Sequence, residues 1–183
     1  MQAALELFSR KDYGSTSIGE ITTMVDTTKG ALYYHFTDKE ELFVEVCQAA
    51  MEAYQREVFS KSLSRKVTGP RIRELIRNSY IFDVESQKYS KLYRRILAED
   101  WSSNQKLYPI FKQFYQSFYE QVGQIVQADI DCGYIQDADI SALTTLIIAI
   151  LDGLSIRNTV EMNESLEKSD IDTISDIIIN RLK

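Results

Sequence analysis

The chain has 183 residues, 44% of them hydrophobic and 26% charged, and a formal net charge of −6, so it can bury a sizeable core in one or two domains. With only 7 Gly and 2 Pro, the residues that punctuate turns, it reads as mostly helical. One histidine, His35, excludes His-based triads and multi-His metal sites. There is no P-loop or dinucleotide fingerprint, so no catalytic residue, metal or cofactor is expected. Cys47 and Cys132 lie far apart without metal-ligand spacing and read as reduced residues of a cytoplasmic protein. No signal peptide is visible, and no apolar run reaches the ~18 residues of a membrane span.

Residues 1–12 read as a first helix with Ala4, Leu7 and Phe8 on its inner side. Tyr13-Gly14 ends it, with Gly14 expected at positive φ. Residues 16–36 read as two short helices and a tight turn, a helix-turn-helix. Ser17 and Glu20 form a capping box, followed at helical spacing by Ile18, Ile21 and Val25. Asp26 sits at the turn, where it tolerates the left-handed conformation, and Thr27 or Thr28 caps the second helix. Leu32 and Phe36, four apart, point back onto the first. Thr28, Lys29, Gly30, Ala31, Tyr33, Tyr34 and His35 are left outside. Two readings fit those residue types equally: donors for a phosphate backbone with a bare approach to base edges, or tyrosines packed on a neighbouring helix beside a structural histidine.

The segment TTKGALYYHFTDKEELF resembles the recognition helix and following residues of TetR-family transcriptional repressors. Thr16-Ser17, Ile21, Thr28-Lys29-Gly30, Leu32 to Phe36, Lys39-Glu40 and Leu42 match the family pattern in order, over roughly the first fifty residues. The QacR-like multidrug-responsive regulators are the most similar subgroup. Asp26 and Thr27 depart, standing where the family usually has Gly and Val. The resemblance implies a DNA-binding domain over residues 1–46, with contacts from Thr16, Ser17, Thr27, Thr28, Lys29, Gly30, Ala31, Tyr33, Tyr34, His35 and Lys39. It also implies basic residues preceding this chain's first helix. Charge argues the other way: residues 1–40 hold Arg10, Lys11, Lys29 and Lys39 against six acidic residues, where a nucleic-acid binder should show a basic patch.

Thr37 with Glu40 reads as a second capping box, opening a long fourth helix with Leu42, Phe43, Val46 and Ala50 on its apolar face. The stretch 62–70 ends it, and Pro70 suits the first position of the next helix, which carries Ile72, Leu75, Ile76 and Ser79. Another helix is expected over 88–99. A long one over 105–132 has Tyr108, Phe111, Tyr115, Phe118, Val122 and Ile125 at steps of three and four. Aromatic residues crowd this region among scattered carboxylates. They fit either plain core packing or a cavity for a lipophilic cation. The resemblance implies the cavity, lined by Tyr80, Tyr89, Tyr93, Glu99, Trp101, Phe111, Phe114, Tyr115, Phe118 and Tyr119.

Residues 139–160 form a helix apolar on nearly every side, which needs cover all round. Ser169-Asp170 caps a last helix with Ile171, Ile174, Ile177, Ile178 and Leu182 inward. A buried monomer core or a two-fold four-helix interface would satisfy both helices, and the resemblance implies the second. The expectation is an all-α chain of about nine helices. It comprises a three-helix DNA-binding domain at 1–46 and a ligand-binding and dimerisation domain at 47–183. That describes a homodimeric repressor released by a small lipophilic ligand from an inverted-repeat operator in double-stranded DNA, with no membrane partner. The alternatives are a ligand-activated activator, and a helical ligand-binding or protein-interaction module that does not read DNA.

Overall fold

The computed structural model describes residues 1–136, 138–159 and 166–181. Nine helices run through them: α1 Gln2–Arg10, α2 Ile18–Met24, α3 Lys29–Tyr33, α4 Lys39–Tyr54, α5 Arg71–Glu85, α6 Gln87–Ala98, α7 Leu107–Asp131, α8 Ile140–Thr159 and α9 Lys168–Arg181. α4 continues through a wide turn at Gln55–Phe59 into Ser60–Ser62. There the Ser60 hydroxyl donates to the Gln55 carbonyl, 2.9 Å, five residues back.

The chain divides into two compact units, Met1–Ala53 with Ser86–Ile110, and Tyr54–Glu85 with Phe111–Lys183. In the first, α1 buries Ala3, Ala4, Leu5, Leu7 and Phe8, and α4 buries Leu42, Phe43, Val46 and Cys47. Ala50 is half-buried. α6, far away in sequence, packs along α1. Arg95 donates to the Ser9 and Arg10 carbonyls and to the Asp12 carboxylate, placing a cation at the C-terminal end of α1 where the helix dipole favours one.

Several local expectations need correction. α1 ends at Arg10, and Gly14 does not adopt a positive φ; among the described residues only Asp26 and Gly133 do. The Ser15 and Thr16 amides and the Thr16 hydroxyl all donate to the Asp12 carbonyl, closing the turn without a left-handed residue. Val25 is exposed, because α2 ends at Met24 and Val25 is its C-cap, out of helical register. The cap of α4 falls one residue later than expected. Asp38, not Thr37, accepts from the amide three residues on, that of Glu41, at 2.7 Å, and the Glu41 carboxylate rather than that of Glu40 reaches back to Thr37.

In the second unit Pro70 stands just before α5, whose first two amides are capped from outside the helix. Asp129 of α7 supplies the cap: its carboxylate accepts from the Arg71 and Ile72 amides at 2.7 and 2.9 Å and is fully buried. Burial pushes its pKa above the ordinary carboxylate value despite those donors and Arg71. α7 buries Phe111, Phe118, Val122, Ile125 and Val126, whereas Tyr108 and Tyr115 are exposed, contrary to expectation. Phe111, Phe118, Val122 and Ile125 of the expected stripe are buried, and the two members that face water are the tyrosines, which carry a polar hydroxyl.

α8 buries Leu143, Thr144, Ile147, Ile148 and Leu151. Gly123 of α7 faces Thr144, whose hydroxyl would lie 3.5 Å from a Cβ there, an ordinary contact distance. Ile140–Asn158 is long and apolar enough to cross a membrane by length and composition alone. The sequence reading missed it because Ser141, Thr144, Thr145, Asp152 and Arg157 break any continuous apolar run. α9 begins at Lys168, and Asp170 accepts from the Glu167 amide rather than serving as the N-cap. Its inner side is Ile171, Ser175 and Ile179, with Ile174 and Ile178 half-buried and Ile177 facing out. Val160 and Leu182 lie outside the described residues.

Candidate nucleic-acid interface

α2 starts where the Ser17 hydroxyl accepts the Glu20 amide (3.2 Å) and the Glu20 carboxylate accepts the Ser17 amide (3.0 Å), the reciprocal capping box expected. Lys11 pairs with the same carboxylate. The Lys11 ammonium, then the Ser17 amide and hydroxyl, hold the Glu20 pKa down to about 2. Asp26, at φ 48°, turns the chain in the left-handed region. Thr28 then caps α3, its hydroxyl accepting the Ala31 amide at 3.1 Å.

α3 is a single short turn of helix ending at Tyr33; Tyr34 to Phe36 continue in helical turns, with the His35 and Phe36 amides donating to the Leu32 carbonyl. Leu32 and Phe36 are half-buried toward the unit's interior. Thr27, Thr28, Lys29, Gly30, Ala31, Tyr33, Tyr34 and His35 are all exposed. Tyr34 is 85% exposed and meets the His35 ring edge-on at 5.2 Å, so neither tyrosine is packed beneath a neighbouring helix of this unit. Among the described residues Lys29 makes no ion pair.

Besides Thr28, whose hydroxyl caps α3, three predicted residues are engaged internally. Thr16 is buried, with its hydroxyl on the Asp12 carbonyl. Ser17 is exposed, but its hydroxyl belongs to the capping box. Lys39 donates its ammonium to the Tyr13 and Thr16 carbonyls, at 2.8 and 3.1 Å, and lies 4.1 Å above the Tyr13 ring. It fastens the start of α4 to the α1–α2 turn. Burial, and the nearby Glu40 and Asp38 carboxylates, push the Tyr13 phenol up to about 12.

The predicted ligand residues divide between the units. Tyr89, Tyr93, Glu99 and Trp101 belong to the first. There the Glu99 carboxylate accepts the Tyr13 amide at 3.0 Å. The Trp101 indole stacks on Phe43 with centroids 5.7 Å apart, and its N–H donates to the Ile96 carbonyl at 2.7 Å. Both side chains therefore brace the helix-turn-helix unit. Tyr80, Phe111, Phe114, Tyr115, Phe118 and Tyr119 belong to the second. The Tyr80 hydroxyl donates to the Leu166 carbonyl, Tyr119 pairs with Ser141, Phe111 lies beside Phe114, and Tyr115 is exposed.

Phe118 joins an aromatic cluster of the second unit with Tyr54, Phe59 and Phe82, at centroid separations of 5.2–5.7 Å. The Tyr54 hydroxyl meets that of Ser79 at 2.7 Å. Burial, augmented by Asp83 and Asp152, pushes its pKa up. Asp83 accepts from the Ser155 hydroxyl and the Asn158 amide, each at 3.0 Å. Tyr54 and Phe59 were missed in sequence because they follow the predicted apolar face of α4; their only signal is the i,i+5 spacing that the wide turn brings to one side.

Residues 1–46 match the family model described as bacterial regulatory proteins, tetR family. The chain is 48% identical over 46 residues to the HTH-type transcriptional regulator AcrR of Shigella flexneri, covering 25% of this chain and 21% of that protein. It is 41% identical over 54 residues to the HTH-type transcriptional regulator QacR of Staphylococcus aureus, covering 30% and 29%. The matches thus span less than a third of either relative's length. Across 98% of this chain and 94% of the other, the fold is similar to that of AibR in complex with isovaleryl coenzyme A and operator DNA, with a TM-score of 0.73 and 19% identity.

Proposed function

We infer that this chain, whose residues 1–46 belong to the TetR family of bacterial regulatory proteins, is a DNA-binding transcriptional regulator acting in the cytoplasm as a repressor. The observation that carries the reading is the exposed segment from Thr27 to His35, held by a capped α2 and α3 and offering hydroxyls, an ammonium that makes no ion pair among the described residues, and exposed backbone at Gly30. In this reading residues 1–46 read one half-site of an inverted repeat, and 47–183 bind the ligand and a second copy of the chain.

The dimer contact we assign to α8 and α9. Ala142, Thr145, Leu146, Ala149, Gly153 and Ile156 form an exposed stripe at helical spacing on α8, and Ile177 is exposed on α9. Ligand binding in 47–183 would favour a head spacing that no longer fits the operator. Inverting a 1:99 population needs about 5.5 kcal/mol of differential affinity. The rings around Tyr54, with Asp83 and Asp152 acting on it, favour a lipophilic cation.

Anisotropy titration against duplexes selected from a random library, at several salt concentrations, tests the DNA reading. Tyr33→Ala should weaken binding by about 1 kcal/mol or more while sedimentation still reports a dimer. Full affinity in this variant, or a monomeric wild type, refutes it. Calorimetry with ethidium and with isovaleryl coenzyme A tests the ligand. Binding of the thioester and not the dye would reject the cation.

A further inference from the structure

Gly19 occupies the second position of α2, and the side chain of Lys29, the first residue of α3, lies across it. A Cβ built on Gly19 would stand 3.4 Å from Lys29 Cε, 3.7 Å from its Nζ and 3.8 Å from the Ser17 hydroxyl oxygen. The lysine stem therefore runs along bare backbone from one helix to the other. The adjacent carboxylate, Glu20, does not capture the ammonium: it is held by Lys11 and by the Ser17 amide and hydroxyl.

We propose that Gly19 is a positioning residue for DNA recognition, its missing side chain leaving the track in which Lys29 carries its ammonium across α2 to a phosphate. The proposal rests on the DNA reading of the α2–α3 face given above. Alanine fits the track, since 3.4–3.7 Å is ordinary contact, but any side chain reaching past Cβ occupies it and displaces the ammonium.

The test measures affinity for a library-selected duplex against salt concentration in the 183-residue chain. Each phosphate contact contributes about 0.9 to the slope of log K on log salt, equivalent to about eightfold in affinity at 0.1 M relative to 1 M salt. Lys29→Ala should lose that much. Gly19→Leu, which keeps helix propensity, should lose the same, Gly19→Ala should lose none, and Gly19→Leu added to Lys29→Ala should cost nothing further. Thermal melts by circular dichroism confirm that each variant is folded, and Gly19→Gln serves as a second long side chain if Gly19→Leu is not. A normal slope in Lys29→Ala removes the DNA role of that lysine, and the proposal with it. A normal slope in Gly19→Leu beside a reduced one in Lys29→Ala overturns the proposal alone. An equal loss from Gly19→Leu with and without Lys29 also overturns it, since the leucine would then be obstructing the groove itself.

Discussion

Trp101→Ala should loosen the helix-turn-helix unit although Trp101 lies 55 residues beyond the end of the family match at 46. Its indole is 9% exposed, stacked on Phe43, tilted against Tyr13 at 5.8 Å and hydrogen-bonded to the Ile96 carbonyl. Removing a buried tryptophan costs about 3–5 kcal/mol. The site is near the unit's surface, and water can reach the freed carbonyl at the end of α6, so about 3 kcal/mol is expected. Against a typical domain stability of roughly 5–15 kcal/mol, that is a large fraction. Native-state hydrogen exchange reads it directly: amides of α1 and α4 should exchange about a hundredfold faster, while those of α5 and α8 keep their rates. As the chain's only tryptophan, Trp101 also reports the unfolding of this unit by its fluorescence in the wild type. A loss below about 1 kcal/mol in α1 and α4, or an equal acceleration in α5 and α8, would refute the assignment of Trp101 to the head's core.

Asp129→Ala should destabilise the second unit by about 2–5 kcal/mol, because two backbone donors of α5 lose their buried acceptor; Asp129→Asn, which keeps one acceptor, should cost clearly less in urea denaturation. Asp26→Gly should leave stability within about 0.5 kcal/mol, whereas Asp26→Val should lose about 1–2 kcal/mol at a φ of 48°; equal melting of the two variants would contradict the left-handed turn. Glu20, held to about 2 from an ordinary 4.5, stabilises the fold above pH 4.5 and loses that contribution as pH falls toward 2. The melting-temperature gap between wild type and Glu20→Gln should therefore be open at pH 7 and close on acidification, and a gap unchanged at pH 2.5 would reject the Lys11–Ser17–Glu20 arrangement.

The helix-turn-helix was legible because every device that makes it is local. The Ser17–Glu20 capping box, the left-handed Asp26 and the Thr28 cap each act over three or four residues, which is the range a sequence pattern encodes. Where two local solutions compete, the reading slipped by one residue, as with Thr37 and Glu40 against Asp38 and Glu41. On α7 six residues at steps of three and four looked alike, and nothing within the helix itself says that Tyr108 and Tyr115 stay exposed while Phe111, Phe118, Val122 and Ile125 are buried. The aromatic residues between Tyr80 and Tyr119 read as one group, yet they divide between two units.

Composition, caps and periodicity were enough to indicate a helical chain and to place its helix-turn-helix at residues 16–36, since each of those properties is settled within a few turns of backbone. Tertiary structure alone decided that α6 and the Trp101 loop complete the N-terminal unit, that Lys39 is spent fastening the α1–α2 turn, and that a buried carboxylate from α7 caps α5. Those contacts join residues 23 to 86 positions apart, and a long-range partner is chosen by packing and by the need to satisfy buried donors, neither of which leaves a periodic trace in the chain.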